Sequence, residues 1–245
     1  MTQVSDGKVL GVIPARYRSR RFPGKVLALL DGIPVVARVY SQARKSTRLD
    51  SLVVATDSSR VRDALTALDI PVTLTSPAHR SGTERVAEVA GRSEGVGFVV
   101  NIQGDEPLID PGLIDQVVEP LMDDRGTRMA TVATRRFREG DWKDPQVVKV
   151  RMDSQGFATD FFREAAGNSV PGDCLKHIGL YAYSKEFLME LVGNDPTISE
   201  RGRDLEQMRA LDRGTPIKVV STDYDALGVN TPGDLERIRE RMGID

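Results

Sequence analysis

The sequence predicts an α/β protein built on a doubly wound, mostly parallel sheet. Two observations carry this. Short apolar runs alternate with helical patterns through the first half of the 245 residues, the rhythm of a parallel sheet wrapped by helices. One buried strand also runs straight into a basic loop: Val12-Ile13-Pro14-Ala15-Arg16-Tyr17-Arg18-Ser19-Arg20-Arg21-Phe22-Pro23-Gly24-Lys25. Open parallel sheets hold ligands at the carboxyl ends of their strands, and a loop of this kind suits phosphates.

The elements follow in order. Residues 9–13 read as the first strand and 34–45 as a helix with Pro34 near its first turn. Residues 51–56 read as a strand, 58–68 as a helix and 71–74 as a short strand. A Ser-Gly-Thr turn opens a helix over 81–90. Residues 98–102 are β-rich, with a helix over 111–121 behind them. The second half is less regular. Residues 129–134, 147–151 and 178–183 read as strands, 185–192 and 205–213 as helices, 217–221 as a strand and 232–242 as a closing helix. The stretch 167–173, rich in Gly, Asn, Pro and Asp, reads as a loop. One domain over 1–245 is expected, with a nucleotide-binding part over about 8–125, an acceptor and dimerisation part over about 126–222 and the closing helix over about 231–242.

Composition excludes several classes. The formal net charge is −2, which argues against a nucleic-acid-binding surface. Positive charge is local instead, concentrated in the opening loop. The single cysteine, Cys174, cannot form an internal disulfide and fits a reducing cytosol. It reads as an incidental thiol. No apolar run reaches the ~18 residues that cross a bilayer, and residues 1–7 lack the apolar core of a signal peptide. A cytoplasmic location without a membrane partner is the expectation.

Four segments carry chemistry. Arg16, Arg21 and Lys25 are placed to neutralise a triphosphate and the pyrophosphate leaving from it; a plain solvated basic loop is the alternative. Its G-x-x-x-x-G-K-[ST] spacing is absent, so it is not a Walker A loop. Val99-Val100-Asn101-Ile102-Gln103-Gly104-Asp105-Glu106-Pro107 ends a strand in an acidic tip, where Asp105 could hold Mg²⁺ against substrate phosphates. An ordinary Gly-Asp turn is the alternative. Ser81-Gly82-Thr83-Glu84-Arg85 offers hydroxyls and backbone N–H groups to a base or ribose, or else a simple helix cap. Finally, Leu227-Gly228-Val229-Asn230-Thr231-Pro232 leads into the closing helix, with Thr231 as cap. Asn230 could reach the metal held by Asp105, as a weaker, neutral ligand.

Taken together, these segments resemble the 3-deoxy-manno-octulosonate (Kdo) cytidylyltransferases, the CMP-Kdo synthetases. The resemblance runs from about Val9 to about Arg239. It also includes Thr56-Asp57, Val147-Val148-Lys149-Val150, His177-Ile178-Gly179-Leu180-Tyr181-Ala182-Tyr183 and Leu205-Glu206-Gln207-Met208-Arg209. It implies a nucleotidyltransferase (GT-A-like) sheet with an embedded acceptor and dimerisation subregion, a homodimer, CTP as cosubstrate and Mg²⁺ as cofactor. Arg16, Arg21 and Lys25 would bind triphosphate and Asp105 the metal. Ala15, Ser81, Gly82 and Gln103 would lie near cytidine, and His177, Tyr181, Glu206 and Gln207 would face the acceptor.

The sequence departs from the family's pattern in places. Arg18 stands where Gly is usual and Arg20 where a small residue is usual. Asn230 stands where a metal-binding Asp is expected. The sugar loop is shortened over 164–173 after Asp160-Phe161-Phe162-Arg163. Arg203 stands where an acidic residue is expected, and Arg163 and Arg203 are expected to bind the acceptor. A lost polyol loop and added positive charge favour a smaller, more highly charged acid, such as the phosphonate phosphonoformate. Kdo is the alternative acceptor. A CTP-binding regulator without catalysis is the alternative of another class, on the strength of Asn230. A glycosyltransferase would want Asp-x-Asp where this chain has Gln103-Gly104-Asp105.

Overall fold

The structure is a computed structural model that describes residues 7–19, 21–165, 167 and 170–243. Arg20, named among the departures, lies outside them, as do 166, 168 and 169 of the shortened loop. The chain forms two compact units, one of residues 7–115 with 226–243, the other of residues 116–225.

In the first unit, β1 (Lys8–Pro14) is buried from Val9 to Ile13. Its continuous apolar run marks a strand covered on both faces. A single 3-10 turn over Lys25–Leu27 follows the basic loop. A two-strand ribbon comes next, β2 (Leu29–Leu30) with β3 (Ile33–Pro34). Its tip, Asp31-Gly32, has both φ angles positive, 50° and 71°, as a type I′ hairpin needs. Then come α1 (Val35–Ala43), β4 (Ser51–Thr56), α2 (Ser59–Thr66), β5 (Val72–Leu74), α3 (Gly82–Arg92) and β6 (Val96–Asn101), and α4 (Pro111–Asp123) begins in this unit and continues into the second. The strands pair in parallel in the order β6-β1-β4-β5, with Val12 opposite Val53 and Gly11 opposite Val100. Order reverses on either side of β1, so the crevice at its carboxyl end is where such a sheet takes a ligand.

The second unit contains β7 (Met129–Thr134), β8 (Lys149–Met152), β9 (Ala158–Phe162), β10 (Cys174–Ser184), α5 (Lys185–Gly193), α6 (Ile198–Arg203), α7 (Met208–Asp212) and β11 (Ile217–Thr222). Here β7 pairs with β11 in parallel and with β10 antiparallel, while β8 runs antiparallel to both β10 and β9. The sequence reading lacks β9 and α6. A turn signal for β9 was present: Asp153 accepts the N–H groups of Gln155 and Phe157 at 2.9 Å each, and Gly156 has φ 79°. The helix predicted over 205–213 shrinks to α7, because Asp204 takes a left-handed φ of 53° and ends α6. Glu206 and Gln207 therefore sit on a turn.

The closing helix α8 (Pro232–Met242) returns to the first unit. Leu235 and Ile238 bury against Leu30, Val35, Leu227 and Val229, at about 1.5–3 kcal/mol per side chain. Thr231 and Asp234 form a reciprocal capping box, and Pro232 fills the first turn. Among the described residues no helix is long and apolar enough to cross a membrane.

Candidate active site

The basic loop is held open in a defined shape. Ala15 is buried at the end of β1 and donates its N–H to Ala55 O at 2.8 Å. The loop closes on itself where Gly24 donates to Tyr17 O at 2.9 Å. Gly24 has φ 73°, and a Cβ there would stand 3.2 Å from the Tyr17 ring; only glycine combines that φ with that closeness. Arg60 braces the other face of the turn, donating to the Tyr17 hydroxyl at 2.8 Å with its guanidinium 5.1 Å from the ring centroid. The result delivers Lys25 to the carboxyl end of the sheet.

Lys25 meets two of the other predicted residues there. Its Nζ lies 2.5 Å from Asp105 Oδ2 and 3.2 Å from Asn230 Oδ1. Arg21 Nη2 donates to the same Asn230 oxygen at 3.0 Å. Asp105 comes close because Gly104 has no side chain: a Cβ there would lie 2.8 Å from Pro14 O. Val229 donates to Asp105 O at 2.8 Å, and Asn230 donates its own N–H to the capping Asp234 at 2.9 Å. The cap of α8 thus positions Asn230. Burial and the charge of Asp105 push the Glu106 carboxyl up to about 8, so it is neutral at pH 7. Two cations therefore face one carboxylate and one neutral amide.

A cavity of about 340 Å³ opens beside this cluster, lined by Arg16, Arg18, Lys25, Ser81, Gln103 and Asp105 among others. Gly82 also lines it, while Ala15 does not. Ser81 serves as helix cap and lining residue together: its hydroxyl accepts Glu84 N at 3.1 Å. The two readings of that segment are compatible, since a capped N-terminus still offers N–H groups to a ligand. Arg16 donates to His79 O at 3.1 Å, and His79 in turn bonds Glu88. Sequence reasoning gave no role to Arg80, which also lines the cavity, or to Arg85, which is fully buried. Arg85 donates to Thr75 and lies 3.3 Å from Asp57. Its burial pulls its pKa below the ordinary arginine range. The available signal was position: both flank the Ser81-Gly82 turn.

As for a metal, Asp105 and Asn230 offer hard oxygen atoms that converge on one point. That donor set suits Mg²⁺, which commonly takes one or two carboxylates and completes its shell with phosphates and water. Among the described residues no group of three or more His, Cys, Asp or Glu side chains forms a closed metal cage.

The predicted acceptor residues lie in the second unit. His177 Nε2 sits 2.9 Å from Thr131 Oγ1, and its ring is wedged between Phe161 at 5.2 Å and Tyr181 at 5.4 Å. Burial lowers its pKa to about 3, so it is neutral. Burial, with a smaller contribution from Glu206, raises the Tyr181 phenol. Gln207 is buried on the same turn as Glu206. Behind that turn Arg209 forms a buried fork with Glu200, at 2.8 and 2.5 Å, and reaches Leu191 O and Asn194 O.

Two arginines are committed elsewhere. Arg163 donates to the carbonyls of Arg203, Pro145 and Asp204 at 3.0 to 3.1 Å. Arg203 pairs with the Asp160 carboxylate and donates to Phe161 O at 2.7 Å. The positive charge of Arg203, part of the case for a small phosphonate acceptor, is thus met within the protein.

The cytidylyltransferase family profile matches residues 10–218. A protein of Geotalea daltonii named 3-deoxy-manno-octulosonate cytidylyltransferase is 42% identical over 96% of this chain and 98% of its own length. One of the same name from Solibacter usitatus is 45% identical over 94% and 93%. The solved structure of CMP:2-keto-3-deoxy-manno-octonic acid synthetase complexed with CTP superposes with a TM-score of 0.90. It is 32% identical and covers 96% of this chain and 98% of that one. These names favour the Kdo alternative over the phosphonate expectation, which has no support among them. Loop, cavity and acidic tip thus sit in a chain that belongs to the cytidylyltransferase family.

Proposed function

We infer that this cytidylyltransferase joins CTP to 3-deoxy-manno-octulosonate, forming CMP-Kdo and pyrophosphate. The observation that carries it is likeness over nearly the whole length to proteins of that name, including one solved with CTP at a TM-score of 0.90. The reaction is an in-line displacement at phosphorus. A hydroxyl oxygen of the sugar acid attacks the α-phosphorus in line. The bond to the bridging oxygen of pyrophosphate breaks, and the hydroxyl proton passes to solvent water. Little covalent work falls to the protein, so positioning and charge stabilisation carry the rate.

Lys25, Arg21 and Arg16 hold the triphosphate and take up charge that develops on pyrophosphate. Gln103, Ser81 and Gly82, with Ala15 behind them, shape the place for cytidine. His177, Tyr181, Glu206 and Gln207 face the acceptor, with Arg163 fixing the backbone around them. Asp105 and Asn230 would hold Mg²⁺, which would supply Lewis-acid polarisation of the α-phosphate and lower the pKa of the acceptor hydroxyl. The enzyme acts as a homodimer in the cytoplasm.

Pyrophosphate release from CTP, ATP, GTP and UTP against Kdo and a panel of small acids tests this. CTP with Kdo should give the highest kcat/KM. No turnover with that pair would overturn the assignment. Sedimentation velocity tests the dimer, with a single species at monomer mass overturning it.

A further inference from the structure

The Asp105 carboxylate is already in use, since Lys25 Nζ lies 2.5 Å from it. A divalent ion that takes Asp105 must displace this ammonium. The displaced ammonium keeps the Asn230 amide oxygen at 3.2 Å, which Arg21 shares at 3.0 Å. A neutral amide does not replace a carboxylate, because hydrogen bonds to an ionised acceptor are roughly twice as strong as neutral ones. A bare dication would also approach the Lys25 ammonium and the Arg21 guanidinium, which both reach the Asn230 oxygen, with repulsion weakly screened in a part-buried site. A triphosphate removes both obstacles, giving Lys25 and Arg21 anionic partners and carrying the metal on its own oxygens.

We propose that Asn230 couples metal binding to nucleotide binding: the free protein takes up no divalent ion, and the ion enters only together with CTP. The proposal rests on the cytidylyltransferase reading of the site. A carboxylate at position 230 would break the coupling by keeping an anion for Lys25 after the metal arrives. Removing the ammonium would break it from the other side, leaving Asp105 without a competitor. Linkage makes the effect reciprocal, so the ion should raise CTP affinity by the factor by which CTP raises the ion's.

The test is Mn²⁺ retained by the intact protein on ultrafiltration, against a CTP-only control, with no acceptor present. The wild type should retain Mn²⁺ with CTP and not without it. Asn230→Asp and Lys25→Met should each bind Mn²⁺ without nucleotide about tenfold or more tightly than wild type, as expected for removing one strong charge competitor. A gain of binding cannot come from misfolding. Wild type binding Mn²⁺ alone as tightly as Asn230→Asp, or no gain in Lys25→Met, overturns the coupling. CTP binding that leaves Mn²⁺ affinity unchanged also overturns the coupling alone. CTP binding to no form, with or without Mn²⁺, overturns the functional reading itself.

Discussion

The cations at the predicted phosphate site of one unit and the arginines near the predicted acceptor residues of the other have different partners. In residues 7–115 with 226–243, Arg21 and Lys25 converge on one carboxylate and one amide. In residues 116–225, Arg163, Arg203 and Arg209 are bonded to backbone carbonyls and to Asp160 and Glu200. The lesson is that a count of arginines near a site is not its charge. An arginine committed to its own backbone or to a carboxylate fixes local structure first. In the second unit the charges of Arg203 and Arg209 are met by the carboxylates of Asp160 and Glu200.

The largest expected effect breaks a committed pair. Arg209→Met strands Glu200, which has little exposure, and should cost about 3–5 kcal/mol of stability, read from urea unfolding. A loss under about 1 kcal/mol would show that the fork is not buried as described. Lys25→Ala should behave in the reverse manner. Transition-state stabilisation should fall by about 2–4 kcal/mol, with little change in Tm. A kcat/KM within twofold of wild type would refute its role at the phosphates.

Acid should act on the second unit through His177. Its folded pKa, about 3, lies below the unfolded value near 6.5. The unfolded chain therefore binds the proton first as pH falls. The stability that His177 contributes is complete above about pH 6.5 and is lost progressively toward pH 3. Between pH 7 and pH 5 the loss should be on the order of 1–2 kcal/mol. His177→Gln should flatten that limb; an unchanged profile would place the titration elsewhere. The smallest effect is Arg203→Gln. A partly exposed ion pair is worth about 0.5–1 kcal/mol, and KM for Kdo should stay within about threefold. A tenfold rise at unchanged Tm would make Arg203 an acceptor ligand after all.

Much of the first unit was legible because its signals are local. The apolar run of β1, the Pro-Gly before Lys25, the Ser81 cap and the Thr231-Pro232 start are each decided within a few residues. The second unit was harder. Its β8–β9 ribbon turns on Asp153 and Gly156, a signal easily taken for loop, and α6 and α7 are only six and five residues long, with no sustained period. The site was legible as segments but not as bonds. The sequence pointed to Asp105 and Asn230 as partners for one metal; it did not show that Lys25 stands between them, nor that Asp160 neutralises Arg203.

What the chain determined by itself is the strand-loop-helix order and the kind of chemistry at each strand end, because hydrophobic period, caps and turn residues act over short range. What only the tertiary structure decided is which charges meet. Lys25 and Asn230 are 205 positions apart, and Arg203 and Asp160 are 43. Electrostatic partnership depends on distance through space, which the folding of the chain sets and local sequence does not record.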